Sequence, residues 1–197
     1  MSIEIRLATA VDAPQIQAIY APIVQETAIS FELDVPSVGE IAGRIHKSLA
    51  QFPWLVCVDG NSVMGYAYAG LHRSRRAYQW SCEVSAYTHA EYRRRGVARG
   101  LYEAVFAILV LQGYFNAYAG IVQPNEASVG FHRALGFTLI GTYAEIGYKH
   151  GRWSDVAWYQ KRLQPLVDNP VAPQPVTAVM DSEAFDAALT QAVAYVR

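Results

Sequence analysis

Charge of one sign is what this sequence lacks most: 16 lysines and arginines stand against 17 aspartates and glutamates, a formal net charge of −1. That balance excludes a global field able to gather nucleic acid or an anionic membrane, so any anion site must be built locally. Cysteine is nearly absent as well. Cys57 and Cys82 each sit in an apolar stretch, and the charged amino-terminal stretch Met1–Arg6 leads into no signal-length apolar run. Two buried free thiols in a reducing, cytoplasmic setting are therefore expected, not a disulfide framework. The apolar run Ala104–Leu111 falls short of the roughly 20 residues a bilayer span requires. His46, His72, His89, His132 and His150 are dispersed without paired ligand spacing, which leaves no basis for a metal site. What the chain does have is 197 residues of which 52% are hydrophobic, enough for one compact domain with a real core.

Periodicity gives the order of elements. Ile3, Ile5 and Leu7 alternate with charged residues as a half-buried strand does. Asp12 and Gln15 read as a capping box opening a helix with Ile16, Ile19 and Tyr20 on one face, and Ser37 with Glu40 opens a second carrying Ile41, Ile45 and Leu49. Trp54–Val58 and Val63–Ala69 flank the turn Asp59-Gly60-Asn61 as a hairpin. A strand is expected over about Gln79–Thr88, a buried helix over Val97–Gln112 ended by Gly113, and a strand over Ala117–Val122. Pro124-Asn125 opens a helix that Gly136 ends. Phe137–Thr142 and Val156–Arg162 supply the last strands, joined through a basic turn Lys149-His150-Gly151-Arg152. Strands interrupted by helices predict a mixed α/β (α+β) sheet, not a bundle or sandwich. After Leu163, four prolines mark a linker and Asp181–Val196 has weak helical character capped by Asp181 or Ser182. Residues 1–163 thus read as one domain and 164–197 as a tail docked on it or on a partner subunit.

Between the strand and the long helix lies Arg93-Arg94-Arg95-Gly96-Val97-Ala98. Unpaired N–H groups at a helix N-terminus attract phosphate oxygens, Gly96 and Ala98 keep the approach free of bulk, and the arginines add positive charge. The stretch lacks the lysine and hydroxyl of a P-loop, and no dinucleotide fingerprint follows the first strand. On its own it is an anion-binding turn or a solvated basic one.

Together with Asn125-Glu126-Ala127-Ser128-Val129-Gly130-Phe131-His132-Arg133-Ala134-Leu135-Gly136-Phe137, the loop resembles the GNAT superfamily of N-acetyltransferases, whose cofactor loop reads Gln/Arg-x-x-Gly-x-Gly/Ala. Pro53–Val56, Gly65–Gly70, Ala77–Trp80 and Tyr148–Val156 look like the branch acting on phosphinothricin, methionine sulfoximine and methionine sulfone. The resemblance covers about residues 3–163. It implies a central twisted, mostly antiparallel sheet flanked by helices, with acetyl-CoA as cosubstrate in a cleft beside the glycine loop, a small amino acid as acceptor, no metal, and a homodimer.

Site residues follow from pattern and resemblance together. Alternation places Glu83 on the polar face of its strand, where a solvent-facing carboxylate is the ordinary reading; the resemblance makes it the general base. His132 is either a general acid or a hydrogen-bonded core histidine, and Tyr102 is a further donor for the leaving sulfur. Ala86, Tyr87 and Thr88 are expected to offer backbone groups to the pantetheine arm. Arg94, Arg95, Gly96, Val97, Ala98 and Arg99 are expected to hold the pyrophosphate. Asn125 serves as helix cap, as pantetheine ligand, or as both. For the acceptor, the resemblance points to Arg75, Tyr78 and Phe31, while Arg73 and Arg76 read as solvated. Competing readings are another amine acceptor, a non-catalytic acyl-CoA-binding module and, least supported, a nucleic-acid protein. The basic run Arg73–Arg76 disfavours a polycationic acceptor. Cys82 falls on the apolar face, so direct attack in a ternary complex is expected, not an acyl-enzyme.

Overall fold

A computed structural model describes residues 3–197; Met1 and Ser2, part of the amino-terminal stretch considered above, lie outside the described residues. Strands β1 (Ile3–Leu7), β2 (Trp54–Asp59), β3 (Ser62–Leu71), β4 (Ser81–Thr88), β5 (Asn116–Val122), β6 (Thr138–Lys149) and β7 (Arg152–Arg162) form one seven-stranded sheet. Its order is β1-β2-β3-β4-β5-β7-β6, antiparallel throughout except where β4 runs parallel to β5. That pairing runs only from Ser81↔Asn116 to Glu83↔Tyr118, although β4 continues to Thr88 and β5 to Val122. The sheet therefore splits after Glu83.

Among the described residues five α-helices cover the two faces: α1 (Ala13–Glu26), α2 (Val38–Ser48), α3 (Val97–Gln112), α4 (Glu126–Ala134) and α5 (Glu183–Ala192). Alternation along the strands sorts the core into two layers. Ile5, Leu55, Cys57, Cys82, Val84, Ala117 and Ala119 join Leu101, Val105, Ile108 and Leu109 of α3 on one side. Trp54, Val56 and Tyr66 meet Ile16, Ile19, Ile41 and Ile45 of α1 and α2 on the other. The α3 side chains Leu101, Val105, Ile108 and Leu109 are fully buried, each contributing about 1.5–3 kcal/mol by removal from water. An all-round apolar helix is what such a position demands.

Local chemistry departs from expectation at two termini. The box at the first helix is formed by Thr9 and Asp12, not by Asp12 and Gln15: Thr9 donates through N and Oγ1 to the Asp12 carboxylate at 2.7 and 3.1 Å, and Arg6 clamps the same carboxylate at 2.8 and 2.9 Å. Gln15 instead bridges the β2–β3 turn, donating to Asn61 O and accepting from Val63 N. At the other end of the chain, β6 and β7 extend to within two residues of each other, so the basic turn shrinks to His150-Gly151. Lys149 is not a surface charge there. It is buried, and its Nζ donates to Val24 O at 2.6 Å and Ser30 O at 2.8 Å, closing the carbonyl end of α1 as a cation should.

The tail is docked on this same chain. Val176, Phe185 and Ala192 are buried in the α3-side core, Ser182 caps α5 by accepting from Phe185 N, and Gln112 exchanges hydrogen bonds with Gln174.

Candidate active site

Opposite signs of backbone curvature meet at the loop between β4 and α3. Arg94 (φ 63°) and Gly96 (φ 81°) both adopt the left-handed conformation, which turns successive N–H groups toward one side in the manner of an anion nest. Gly96 is the N-cap of α3, so the helix dipole adds to the same concavity. In front of it opens a cleft of about 630 Å³, lined by Ala86, Tyr87 and Thr88 of β4, by Arg93, Arg94, Gly96, Val97, Ala98 and Arg99 of the loop and helix, and by Asn125, Ser128 and His132 of α4. A smaller space, about 70 Å³, continues from it into the sheet split between Ser85–Tyr87 and Ala119–Val122. Beyond Glu83 the β4 edge has no strand beside it there, and such an edge presents backbone donors and acceptors to whatever enters. An elongated ligand with an anionic end and an amide-bearing arm fits this shape.

Asn125 caps α4, its Oδ1 accepting from Ser128 N at 3.1 Å, and it also lines both spaces. Arg95 departs from expectation. It does not line the cleft; its Nε donates to the carbonyl oxygen of Arg197 at 2.8 Å and its guanidinium lies over Tyr92. Three successive extended or turning residues cannot all point one way, and Arg93, part of the loop singled out in the sequence though outside the expected Arg94–Arg99 ligand set, faces the cleft in its place.

Tyr102 and His132 form a pair rather than two separate candidates. His132 Nδ1 lies 2.8 Å from Ser128 O, and a carbonyl only accepts, so the proton sits on Nδ1. Nε2 is then the acceptor for the Tyr102 hydroxyl at 3.3 Å. Both are buried, His132 at 7% exposure and Tyr102 at 1%. Burial holds the His132 pKa below its usual 6.5, the Ser128 bond opposing in part, and burial pushes the Tyr102 hydroxyl well above its ordinary range. Beside the split the pair thus holds one O–H, shared with the Nε2 of a neutral imidazole.

Glu83 stands where the split begins, on the face opposite α3. Its Oε1 lies 3.0 Å from His72 Nδ1 and 3.6 Å from Arg73 Nη1, with 38% of its side chain exposed. His72 stacks on Tyr118, the β5 partner of Glu83, at 4.3 Å and 10°, and meets the edges of Trp158 and Tyr78. Arg73 lies over Trp158 and reaches Tyr143 Oη at 3.4 Å. His72, Tyr118 and Trp158 around Glu83 were not among the expected site residues, and Arg73, expected to be solvated, is exposed yet reaches Glu83 and Trp158. His72 and Arg73 lie inside the basic run already singled out, where the resemblance pointed to Arg75 instead. In the fold, Arg75 is exposed at the start of a short turn, Arg75–Gln79. Tyr78 joins the recess through His72. Phe31 packs against Gly147 of β6, where any Cβ would collide with its ring, and Ile29 of the same loop reaches the cleft instead. Among the described residues no cluster of metal-ligating side chains occurs, and no helix is long and apolar enough to cross a membrane.

A split sheet with an anion nest at the N-terminus of the helix following β4 defines an acyltransferase of the coenzyme A-dependent class, and the chain belongs to the acetyltransferase (GNAT) domain family, whose pattern matches residues 5–158. Phosphinothricin N-acetyltransferase of Streptomyces viridochromogenes is 34% identical over 172 residues, covering 87% of this chain and 94% of that protein. The L-methionine sulfoximine/L-methionine sulfone acetyltransferase of Pseudomonas paraeruginosa is 34% identical, covering 86% and 100%. Among solved structures, a GNAT superfamily phosphinothricin acetyltransferase from Sinorhizobium meliloti in complex with acetyl-CoA superposes with a TM-score of 0.78 at 32% identity, covering 94% of this chain and 99% of that one. The protein is an acetyl-CoA-dependent N-acetyltransferase.

Proposed function

We propose that the protein transfers the acetyl group of acetyl-CoA to the α-amino group of a small amino acid with a second polar head, of the kind named for its relatives: phosphinothricin, methionine sulfoximine or methionine sulfone. The observation that carries this reading is the end of β4–β5 pairing at Glu83↔Tyr118. It opens the sheet so that the cofactor cleft and the recess around Glu83 meet at one gap. The recess brings Arg73 and His72 beside aromatic walls, a setting for an acceptor carboxylate and not for a polycation.

Acetyl-CoA, when bound, supplies the thioester to be attacked. The loop Arg93–Ala98 and Arg99 hold its phosphates, and the β4 edge at Ala86–Thr88 with Asn125 orients the arm. Glu83 takes the proton from the acceptor nitrogen, its carboxylate oriented by His72. Tyr102, which burial keeps protonated, is the donor for the departing sulfur, turning its one O–H to it from His132 Nε2, where that O–H rests before the reaction. Direct attack is favoured over an acyl-enzyme because Cys82 is fully buried with its thiol pushed well above the ordinary range, and Cys57 is buried with its thiol pushed up to about 12; a nucleophile needs the thiolate. The two free thiols also fit a cytoplasmic setting.

A homodimer completes the reading. β6 is an edge strand whose Leu139, Ile140, Tyr143, Ile146 and Tyr148 are all exposed, an apolar edge that proteins ordinarily cover.

Thiol release measured with acetyl-CoA and a panel of amino acids tests the function. Turnover is expected with at least one of the three named acceptors, and Glu83→Gln should lower kcat by about 10²–10⁴, the usual contribution of a general base. No release with any amino acid sinks the acceptor class, and an unchanged pH–rate profile in Glu83→Gln sinks the base.

A further inference from the structure

The end of the tail is joined to the cofactor loop at four points, and the family match stops well before it, at residue 158. Arg197 N donates to Arg95 O at 2.8 Å, and Arg95 Nε returns a bond to Arg197 O at 2.8 Å. The carbonyl of Tyr195 sits so close to Gly96 that a Cβ there would overlap it. Arg99 lies over the Tyr195 ring, 4.8 Å from its centre. One turn further along α3, a Cβ on Gly100 would come within 2.8 Å of Ala192 O. Two glycines and two arginines of the cofactor loop and helix are thus shaped against this chain's own terminal segment.

The segment is not a loose end. Trp80 Nε1 donates to Val171 O, Gln112 and Gln174 bond reciprocally, Val176 N donates to Gln51 O, and Phe185 is buried in the α3-side core. Anchored at those places, it can carry mechanical support to residues 95–99. That support has a physical purpose. Arg94 is held in the left-handed region, which is unfavourable for a residue with a side chain, and the pyrophosphate nest exists only while Arg94 and Gly96 both stay there.

We propose that Tyr195 and Arg197 are positioning residues of the acetyl-CoA site: they clamp Arg95 and Arg99 from outside and lock the loop backbone in its anion-binding shape. The reading of Arg95 changes accordingly. It secures the loop to the tail instead of touching phosphate. This proposal rests on the acetyltransferase reading and deepens it.

The test uses the full chain, a version lacking residues 195–197, and Arg95→Gln in both backgrounds, with CoA affinity by calorimetry and steady-state kinetics. Truncation is expected to raise the CoA Kd and the acetyl-CoA KM about tenfold, the scale of two ordinary hydrogen bonds. kcat should stay within about twofold and the acceptor KM should not move, because chemistry and acceptor recess lie elsewhere. Arg95→Gln should cost a similar factor in the full chain and nothing further in the truncated one. An equal added loss in the truncated background would mean that Arg95 meets the cofactor directly, and unchanged Kd on truncation would remove the brace; either result overturns the proposal. Should truncation prevent folding, Tyr195→Leu and Arg95→Gln in the full chain decide: raised Kd with a kept thermal midpoint supports it, unchanged Kd refutes it. A full chain that binds no CoA refutes the acetyltransferase reading itself, and is distinguished by showing no affinity to lose.

Discussion

Replacing Lys149 by methionine tests how the fold holds the wall of the cleft. Nζ ties the end of β6 to two carbonyls at once, Val24 O at 2.6 Å and Ser30 O at 2.8 Å. The segment it secures, between α1 and α2, is otherwise held by Tyr20 bonding Ser30 and Glu32, and by Arg44 paired with Glu32. That segment carries Ile29 into the cleft and Phe31 onto Gly147. Bonds to a charged donor are worth about 1.5–3 kcal/mol each; against two of them stands the recovered cost of burying an ammonium. Methionine fills similar space without donating. A net loss of about 3 kcal/mol is expected, equivalent to roughly 6–12 °C in a chain of this size. Urea and thermal unfolding read the stability, and the acetyl-CoA KM should rise as Ile29 loses its support. A loss under about 0.5 kcal/mol with unchanged KM would refute the claim that Lys149 holds this segment.

Two further outcomes follow from the site and the sheet edge. Because burial lowers the His132 pKa, the unfolded chain takes up a proton first as pH falls; stability should drop through about pH 6.5 and level off below the folded-state value. His132→Gln should flatten that part of the stability curve, and Tyr102→Phe, which removes a bond favouring neutral His132, should lower kcat and shrink the same step; a curve identical in wild type and His132→Gln counts against the buried neutral imidazole. For the dimer proposed above, lysine at both Ile140 and Ile146 of β6 is expected to lower the mass to that of a monomer in sedimentation velocity, and a mass that the substitutions leave unaltered would refute β6 as the contact.

Most of the fold was legible because periodicity and caps speak directly of local geometry. The Ser37–Glu40 box, the Gly60-Asn61 turn, the helix Val97–Gln112 and its stop at Gly113 all stand where residue chemistry put them. Errors arose where two local solutions competed. Thr9 and Asp12 outbid Asp12 and Gln15 because Arg6, delivered by β1, adds two bonds to the same carboxylate. Lys149 looked like turn charge because its partners lie 119 and 125 residues away.

The site divides along the same line. Asn125 and the glycine loop stand at helix N-termini, so pattern reaches them, whereas alternation gave Glu83 only a polar face and the resemblance gave it a role. The direction of a side chain within a run of like residues is set by contacts far along the chain: Trp158 and Tyr143 draw Arg73 inward, and Arg197 draws Arg95 outward. Arg93 and Arg94 line the cofactor cleft and Arg73 reaches Glu83 from an exposed position, while Arg95 turns to the tail and Arg75 to solvent. A basic run therefore announces an anion site without saying which of its members serve it. The deciding information lies in the opposite edge of the sheet and in the last residues of the chain, which is why substitutions at Tyr195 and Arg197, remote in sequence from every cofactor residue, are expected to act on cofactor affinity.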